Sequence, residues 1–183
     1  DTEELEEIFR RTFGEPKRFR NAEIENHRVY GKSNKTLRKN EYKPKVQTPE
    51  YLLVDGYNVI FAWEELSELA KVSVAGAREK LQDIMCNYQG FRKCNLILVF
   101  DAYRVEGHEE EIIPYHNIHV VYTKEAETAD SFIERTAHQI GRKYQVTVAT
   151  SDGLEQVIIR GQGCAMMSAR ELKEEIERIN QEI

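Results

Sequence analysis

Short apolar runs recur along the chain, and acidic residues follow soon after four of them. The segments between the runs carry helical periodicity, and strands that alternate with helices are typical of a parallel sheet covered on both faces. The carboxyl ends of parallel strands meet at one edge of such a sheet, where α/β proteins bind their ligands. We therefore expect the acids to converge at that edge. They are Asp55, Asp101, Glu127, Asp130 and Asp152.

The same pattern predicts the order of the elements. Strands are expected at 51–54, 95–100, about 118–122, 145–149 and 164–167. Helices are expected at about 63–70, 74–90, 128–144 and 154–160, with a closing helix after Ser168 and a long loop at 102–115. Ser168 and Glu171 fit the S-x-x-E capping box that begins many helices. Right-handed crossovers arrange these elements as a doubly wound α/β sandwich.

The first fifty residues differ in charge from the rest. Residues 10–45 hold twelve Lys and Arg against four acids, whereas residues 46–183 hold fourteen against twenty-three. This region predicts a short helix at about 3–13 and a basic linker, followed by one folded domain at 51–183. Two interpretations of the linker stay open, a solvated tether and an arm that touches RNA or ribosomal phosphates.

Composition narrows the class of protein. The 183 residues are 40% apolar and 32% charged, as in soluble globular proteins, and no apolar run is long enough for a membrane span. A cytoplasmic location is therefore expected. The three cysteines are scattered without a C-x-x-C pair, which argues against a disulfide framework and a thiolate zinc site. The chain begins without Met, which fits a piece of a longer polypeptide as well as processing or cloning.

The acids allow a structural and a chemical interpretation. Each one alone fits a turn or a helix N-cap, where Asp is common. Several carboxylates at one edge would repel each other, however, and a protein relieves such repulsion by raising pKa values or binding a cation. Mg²⁺ or Mn²⁺ suits oxygen ligands, and a metal so placed supports displacement at phosphorus. The acids therefore point to phosphodiester hydrolysis.

Other side chains near the same edge are candidates for support. Asn58 and Ser151 are expected to orient a water, a ligand or loop backbone. Lys124 and Arg78 are candidates for contacts to an RNA backbone, although lone cations are often simply solvated. Some aromatic rings are expected either to stack on unpaired bases or to pack in the core. They are Tyr57, Phe61, Trp63, Tyr103 and Tyr115.

Several other enzyme classes do not fit the sequence. The turn after the first strand reads Asp-Gly-Tyr-Asn, which lacks the G-x-G-x-x-G of a dinucleotide site. No G-x-x-x-x-G-K-[ST] loop for nucleotide phosphates is present. A phosphatase that forms an aspartyl-phosphate would need a second Asp two residues after the first, where Tyr57 stands.

Four motifs follow one another in a characteristic order. They are Asp55-Gly56-Tyr57-Asn58-Val59-Ile60, then Val99-Phe100-Asp101-Ala102, then Tyr122-Thr123-Lys124 through Glu127-Thr128-Ala129-Asp130, and Ala149-Thr150-Ser151-Asp152. With the closing Met167-Ser168-Ala169-Arg170-Glu171, residues 51 to about 180 resemble the YacP-like branch of the NYN domain, a PIN-related group of ribonucleases.

The resemblance implies a PIN-like Rossmannoid fold, a three-layer α/β sandwich with a central, mainly parallel sheet. It also implies a metal-dependent endoribonuclease that acts on single-stranded messenger RNA, with a link to the ribosome. The implied acidic constellation is Asp55, Asp101, Asp130 and Asp152. Whether Glu127 or Asp130 faces the metal stays open at this point.

Similar domains extend the carboxyl ends of some bacterial translation GTPases of the elongation factor G and tetracycline ribosomal-protection type. The lead-in Glu4-Leu5-Glu6-Glu7-Ile8-Phe9 resembles that junction, which implies fusion to an upstream GTPase. Two alternatives to the nuclease follow, a noncatalytic module that binds RNA or a ribosomal partner and a purely structural fusion domain.

Overall fold

A six-stranded sheet forms the centre of the described part of the protein. The structure is a computed structural model that describes residues 49–102, 110–124 and 126–182, so the helix and linker predicted for 1–50 lie almost wholly outside the described residues. The strand order is β3-β4-β2-β1-β5-β6, and every pair is parallel except β3 with β4. The strands are β1 (Glu50–Asp55), β2 (Asn95–Phe100), β3 (Glu111–Tyr115), β4 (Ile118–Tyr122), β5 (Gln145–Ala149) and β6 (Ala165–Met167).

Helices cover both faces of the sheet because its central strands are apolar on both sides. Leu52 and Val54 of β1 point into one core, and Leu53 points into the other. The first core packs against α1 (Gly56–Ala62), α2 (Glu64–Val72), α3 (Val74–Arg92) and α6 (Ala169–Gln181). The second packs against α4 (Ala129–Ile140) and α5 (Gly153–Gly161). The expected three-layer α/β sandwich with a mainly parallel sheet is confirmed.

The order of the strands reverses at β1. The chain passes from β1 to β2 on one side and later returns, through α4, to β5 on the other side. In open α/β sheets such a reversal opens a crevice beyond the carboxyl ends of the strands, where ligands bind. We call this side of the sheet the carboxyl edge and the opposite side the amino edge.

Most predicted elements are confirmed, and β2, β4 and β5 have the predicted bounds. The helix α1 was not predicted, because Gly56 and Asn58 directly after a strand indicate a turn. The strand β3 lies inside the predicted loop, and its Pro114 is tolerated because β3 is an edge strand. Helix α4 ends at Ile140 and not at 144, since Gly141 begins a turn there.

The start of the closing helix agrees with its predicted capping box. The backbone N–H of Glu171 donates to Ser168 Oγ at 3.1 Å, and Ser168 Oγ lies 3.2 Å from Glu171 Oε1. Among the described residues, no helix combines the length and the apolar character needed to cross a membrane.

Gly56 lies where α1 approaches β2 too closely for a side chain. A Cβ there would lie 2.3 Å from a ring carbon of Phe100 and 2.9 Å from the Val99 carbonyl oxygen. We expect Gly56→Ala to lower the free energy of unfolding in urea by about 1–3 kcal/mol, because the core must shift. Gly90→Ala is the matched control, since a Cβ at that helical position meets nothing within 4 Å. The control is expected to be neutral or stabilising, and equal losses in both variants would contradict this reasoning.

Candidate metal centre at the carboxyl edge

Three carboxylates from one strand and two helices lie together at the carboxyl edge. Asp55 ends β1, Asp130 is in the first turn of α4, and Glu155 is in the first turn of α5. One oxygen of each lies within 4.8 Å of the others. Asp55 and Glu155 have only 6% and 2% of their surface exposed, and Asp130 is half-buried. We call these three residues the acidic triad.

Local capping places two of the three acids. Thr128 caps α4 by accepting from the Ser131 N–H at 3.2 Å, which leaves Asp130 in the first turn of the helix. Asp152 caps α5 in the same way and leaves Glu155 in its first turn. Carboxylates are favourable in the first turn of a helix because the positive end of the helix dipole lies there. The two helices therefore present their acids to the end of β1.

Burial and the neighbouring acids disfavour the charged forms of Asp55 and Glu155. Burial is the main cause that raises the pKa of Asp55, and the side chain of Asp130 and the charge of Glu155 raise it further. Burial likewise raises the pKa of Glu155, where the Thr150 hydroxyl acts in the opposite direction and the charges of Asp130 and Asp152 add to the rise. A bound cation would relieve this repulsion and lower both pKa values.

Glu155 offers an independent sign of a cation site. Both of its carboxylate oxygens are buried, and among the described residues neither has a partner at full hydrogen-bonding distance and angle, although the Thr150 hydroxyl and Asp130 lie close enough to influence its pKa. Leaving a buried polar group unsatisfied costs about 1–3 kcal/mol, and more when it is charged. Mg²⁺ and Mn²⁺ prefer carboxylate oxygens, and Mg²⁺ uses one or two of them beside several waters. The triad could therefore hold a divalent metal ion.

Asp101 lies at the same edge and joins two elements. It follows the end of β2, and its Oδ1 accepts a hydrogen bond of 3.0 Å from the N–H of Ala129, the first residue of α4. This contact fixes the start of α4 beside β2 and thereby the position of Asp130. The carboxylate of Asp101 is not one of the three that lie within 4.8 Å of each other.

Glu127 and Asp130, which the sequence left as alternatives, have different surroundings. The Glu127 carboxylate binds the Arg135 guanidinium through two hydrogen bonds of 3.0 and 3.1 Å. Asp130 instead lies with Asp55 and Glu155. In this structure Asp130 therefore lies in the acidic cluster, and Glu127 helps to fix the loop before α4 against the helix.

Asp152 serves as a helix cap. Its Oδ1 accepts hydrogen bonds from the N–H groups of Leu154 and Glu155 at 2.9 and 3.1 Å. Its charge contributes to the raised pKa of Glu155, so it is close to the triad without belonging to the group within 4.8 Å. Its position agrees with the simple interpretation of an Asp before Gly at the start of a helix.

Two substitutions separate the capping role of Asp152 from a role of its negative charge. Asp152→Ala should lower the free energy of unfolding by about 1 kcal/mol, whereas Asp152→Ser should keep most of the stability, because Ser also caps helices. Urea unfolding checks this difference. Mn²⁺ binding by the stable Asp152→Ser variant would then show whether the carboxylate matters for a metal ion, and equal stability of the Ala and Ser variants would contradict the capping role.

Asn58 and Ser151 fasten the connections around the triad. Asn58 Oδ1 accepts a hydrogen bond of 2.6 Å from the Ser151 N–H, and Ser151 Oγ accepts one of 3.1 Å from the Ala169 N–H. These bonds join α1 to the loop after β5, and that loop to the start of α6. Both side chains thus hold backbone at the carboxyl edge.

The two predicted RNA-binding cations have protein partners. Lys124 is exposed, and its Nζ lies 3.3 Å from Glu110 Oε2. Arg78 is half-buried, and its Nη1 donates to the Tyr57 hydroxyl at 3.1 Å. An RNA phosphate would have to compete with Glu110 for Lys124. The Tyr57 hydroxyl is neutral, so its contact with Arg78 does not balance the positive charge of the guanidinium.

Glu155 was not predicted from the sequence. The predicted acids follow a strand or lie at the approach to the third predicted helix, whereas Glu155 lies in the first turn of the helix that begins after Asp152. A signal was present nonetheless, because Glu127-x-x-Asp130 and Asp152-x-x-Glu155 repeat one spacing of two acids. In both pairs the first acid lies in the loop or at the cap, and the second joins the triad.

Comparison with known proteins agrees with the fold and the motifs. The family model of the YacP-like NYN domain matches residues 52–183, which include the whole triad. A Bacillus subtilis (strain 168) protein described as "Uncharacterized protein YacP" is 44% identical over 135 residues, which make up 73% of this chain and 79% of that protein.

Two solved structures are similar as well. A crystal structure of Rae1 (YacP) from Bacillus subtilis matches with a TM-score of 0.62 at 44% identity, covering 72% of this chain and 76% of that one. A point mutant of the same protein matches with a TM-score of 0.63 at 42% identity, covering 73% and 78%. The chain therefore belongs to the YacP-like NYN domain family.

Proposed function

We propose that this protein is a Mg²⁺- or Mn²⁺-dependent endoribonuclease that hydrolyses phosphodiester bonds of single-stranded RNA, with messenger RNA as its substrate. Membership in the YacP-like NYN family implies a nuclease-type function related to RNA. The observation that carries the proposal is the convergence of Asp55, Asp130 and Glu155 at the crevice where the strand order reverses.

The acidic side chains at the carboxyl edge have different proposed roles. Asp55, Asp130 and Glu155 would hold the ion, and we propose that Asp101 and Asp152 complete the acidic edge around it. A bound divalent ion supplies a water of lowered pKa and offsets charge on the phosphate. Because Asp55 and Glu155 are buried, electrostatic interactions there are stronger than in bulk water.

The neighbouring residues would keep this arrangement rigid and bring in the substrate. Asn58 and Ser151 hold the connections by their hydrogen bonds, and Glu127 does so through Arg135. We propose that Lys124 and Arg78 contact phosphates of the RNA backbone. Contacts of this kind position a strand without selecting its sequence.

The test is a cleavage assay with labelled single-stranded RNA in Mg²⁺, in Mn²⁺ and in EDTA. We expect the protein to cleave RNA only with a divalent ion. Asp55→Asn and Asp101→Asn variants of checked stability should cleave more slowly. Asp83→Asn is the matched control, because Asp83 is exposed and bonds Tyr115 at the amino edge. Cleavage that persists in EDTA or in both edge variants would contradict the proposal.

The same assay separates the alternatives. Metal-independent RNA binding without cleavage, in the presence of ribosomes as well, would favour a noncatalytic RNA- or ribosome-binding module. Cleavage that requires ribosomes would place the activity in translation. Association with the ribosome and fusion to an upstream GTPase stay predictions from the sequence.

A further inference from the structure

The structure separates the five aromatic residues that the sequence grouped together. Tyr57 and Trp63 are buried in the core, and Tyr115 binds Asp83 at the amino edge. Tyr103 lies outside the described residues. Phe61, in contrast, has 46% of its surface exposed.

Phe61 belongs to a segment that lies along the carboxyl edge. The Trp63 indole N–H donates to the Ala169 carbonyl oxygen at 2.8 Å, just after β6. Asn58 is joined to Ser151, just after β5, at 2.6 Å. Contacts with the loops after β5 and β6 therefore hold residues on both sides of Phe61. Phe61 therefore lies on the short helix that follows Asp55 at the carboxyl edge.

The ring of Phe61 also packs against another aromatic ring of the protein. It packs against the Tyr57 ring with 6.4 Å between centroids and 22° between planes, and Tyr57 in turn contacts Phe100 at 5.1 Å. Arg78 donates to the Tyr57 hydroxyl, which fixes that ring from the other side. An aromatic ring held in this way loses little conformational freedom when a ligand packs on it.

Because the domain is negatively charged, contacts that do not depend on charge are better suited to bind RNA. Residues 46–183 carry nine more acids than Lys and Arg, so phosphate attraction alone is a poor source of RNA affinity. Stacking of bases on aromatic rings depends on no net charge and tolerates any sequence. Such stacking suits a site whose metal ligands are themselves acidic.

We propose that Phe61 stacks on an unpaired base of the RNA strand and thereby positions a neighbouring phosphate at the acidic triad. This inference rests on the proposed function, since it assigns a substrate contact to the same site. Phe61 is a positioning residue in this scheme. Arg78, bonded to the ring beneath, lies within the same small cluster and is available to a phosphate of that nucleotide.

The test measures binding of a fluorescent single-stranded RNA by anisotropy in EDTA, with gels to confirm that the RNA stays intact. We expect Phe61→Ala to weaken binding on the order of tenfold, and Phe61→Trp to bind as well as the unchanged protein. Phe91→Ala is the matched control, because Phe91 is 52% exposed but lies at the end of α3, close to the amino edge. It should leave the affinity unchanged.

An RNA with abasic sites supplies a second measurement. If Phe61 stacks on a base, removal of bases should weaken binding by the unchanged protein far more than by Phe61→Ala. Equal affinity of Phe61→Ala and the unchanged protein, an equal loss in Phe91→Ala, or no measurable RNA affinity at all would overturn the inference.

Failure of this inference is distinguishable from failure of the proposed function. Metal-dependent cleavage with no effect of Phe61→Ala on affinity or KM would refute stacking and leave the nuclease standing. RNA binding that depends on Phe61 without cleavage in Mg²⁺ or Mn²⁺ would support stacking and refute the nuclease.

Discussion

Glu155→Gln is expected to slow metal-dependent RNA cleavage at least about 100-fold. Loss of residues that only support metal ligands already costs about 10–100-fold in affinity or activity, and Glu155 is placed here to bind the ion directly. The variant should nonetheless fold, because Gln removes a buried charge whose pKa is raised by burial and by neighbouring acids. Cleavage rates of the purified variant in Mg²⁺ and Mn²⁺ provide the measurement.

Glu68→Gln is the matched control for this prediction. Glu68 is exposed on α2 and pairs with Lys71, three residues away, in a solvent-exposed ion pair that contributes little to stability, so the same chemical change there should leave cleavage unaltered. A Glu155→Gln protein that keeps its fold and cleaves at the normal rate would show that Glu155 does not bind the catalytic ion. The metal would then have to depend on Asp55 and Asp130 with Asp101 or Asp152.

The second large effect concerns stability of the metal-free protein as the pH rises. The pKa values of Asp55 and Glu155 are raised in the folded state, so the folded protein binds more protons than the unfolded chain above about pH 4. Stability should therefore fall as the pH rises through neutrality, with each group contributing up to about 1.4 kcal/mol per pH unit. Urea unfolding in EDTA between pH 5 and 8 measures this slope.

Metal addition should reverse this loss. Because Mn²⁺ binds the ionised triad of the folded state, a concentration 100 times its Kd should add about 2.7 kcal/mol of stability. A protein with both Asp55→Asn and Glu155→Gln should lack the metal effect and show a shallower slope, which separates the triad from other titrating groups. A stability that rises with pH in EDTA, or the same slope in the double variant, would contradict the electrostatic account.

The fold was largely predictable because its strands are marked by local composition. Runs such as Leu96 to Phe100 are apolar on both faces, which indicates a central strand without knowledge of its neighbours. Helix α1 and strand β3 were not predictable in the same way. Their conformations depend on contacts distant in the sequence, namely Gly56 against Phe100 and the pairing of β3 with β4.

The site was predictable only in part. Asp55 was placed at the carboxyl edge because the end of a buried strand is recognisable from the sequence. Glu155 was missed because burial of a residue in the first turn of a helix depends on how that helix packs beside β1. Asp152 fits a helix cap and a metal ligand equally well by its position in the sequence, and the capping bonds seen here could not be deduced beforehand.

The direction of β1 has a consequence for whatever precedes the domain. The strand enters at Glu50, where Arg92 binds it, and reaches Asp55 five residues later, about 17 Å away. Polypeptide attached before residue 49 therefore joins the protein on the side remote from the three carboxylates. From that point of attachment, the three carboxylates can be reached only around the flank of the sheet.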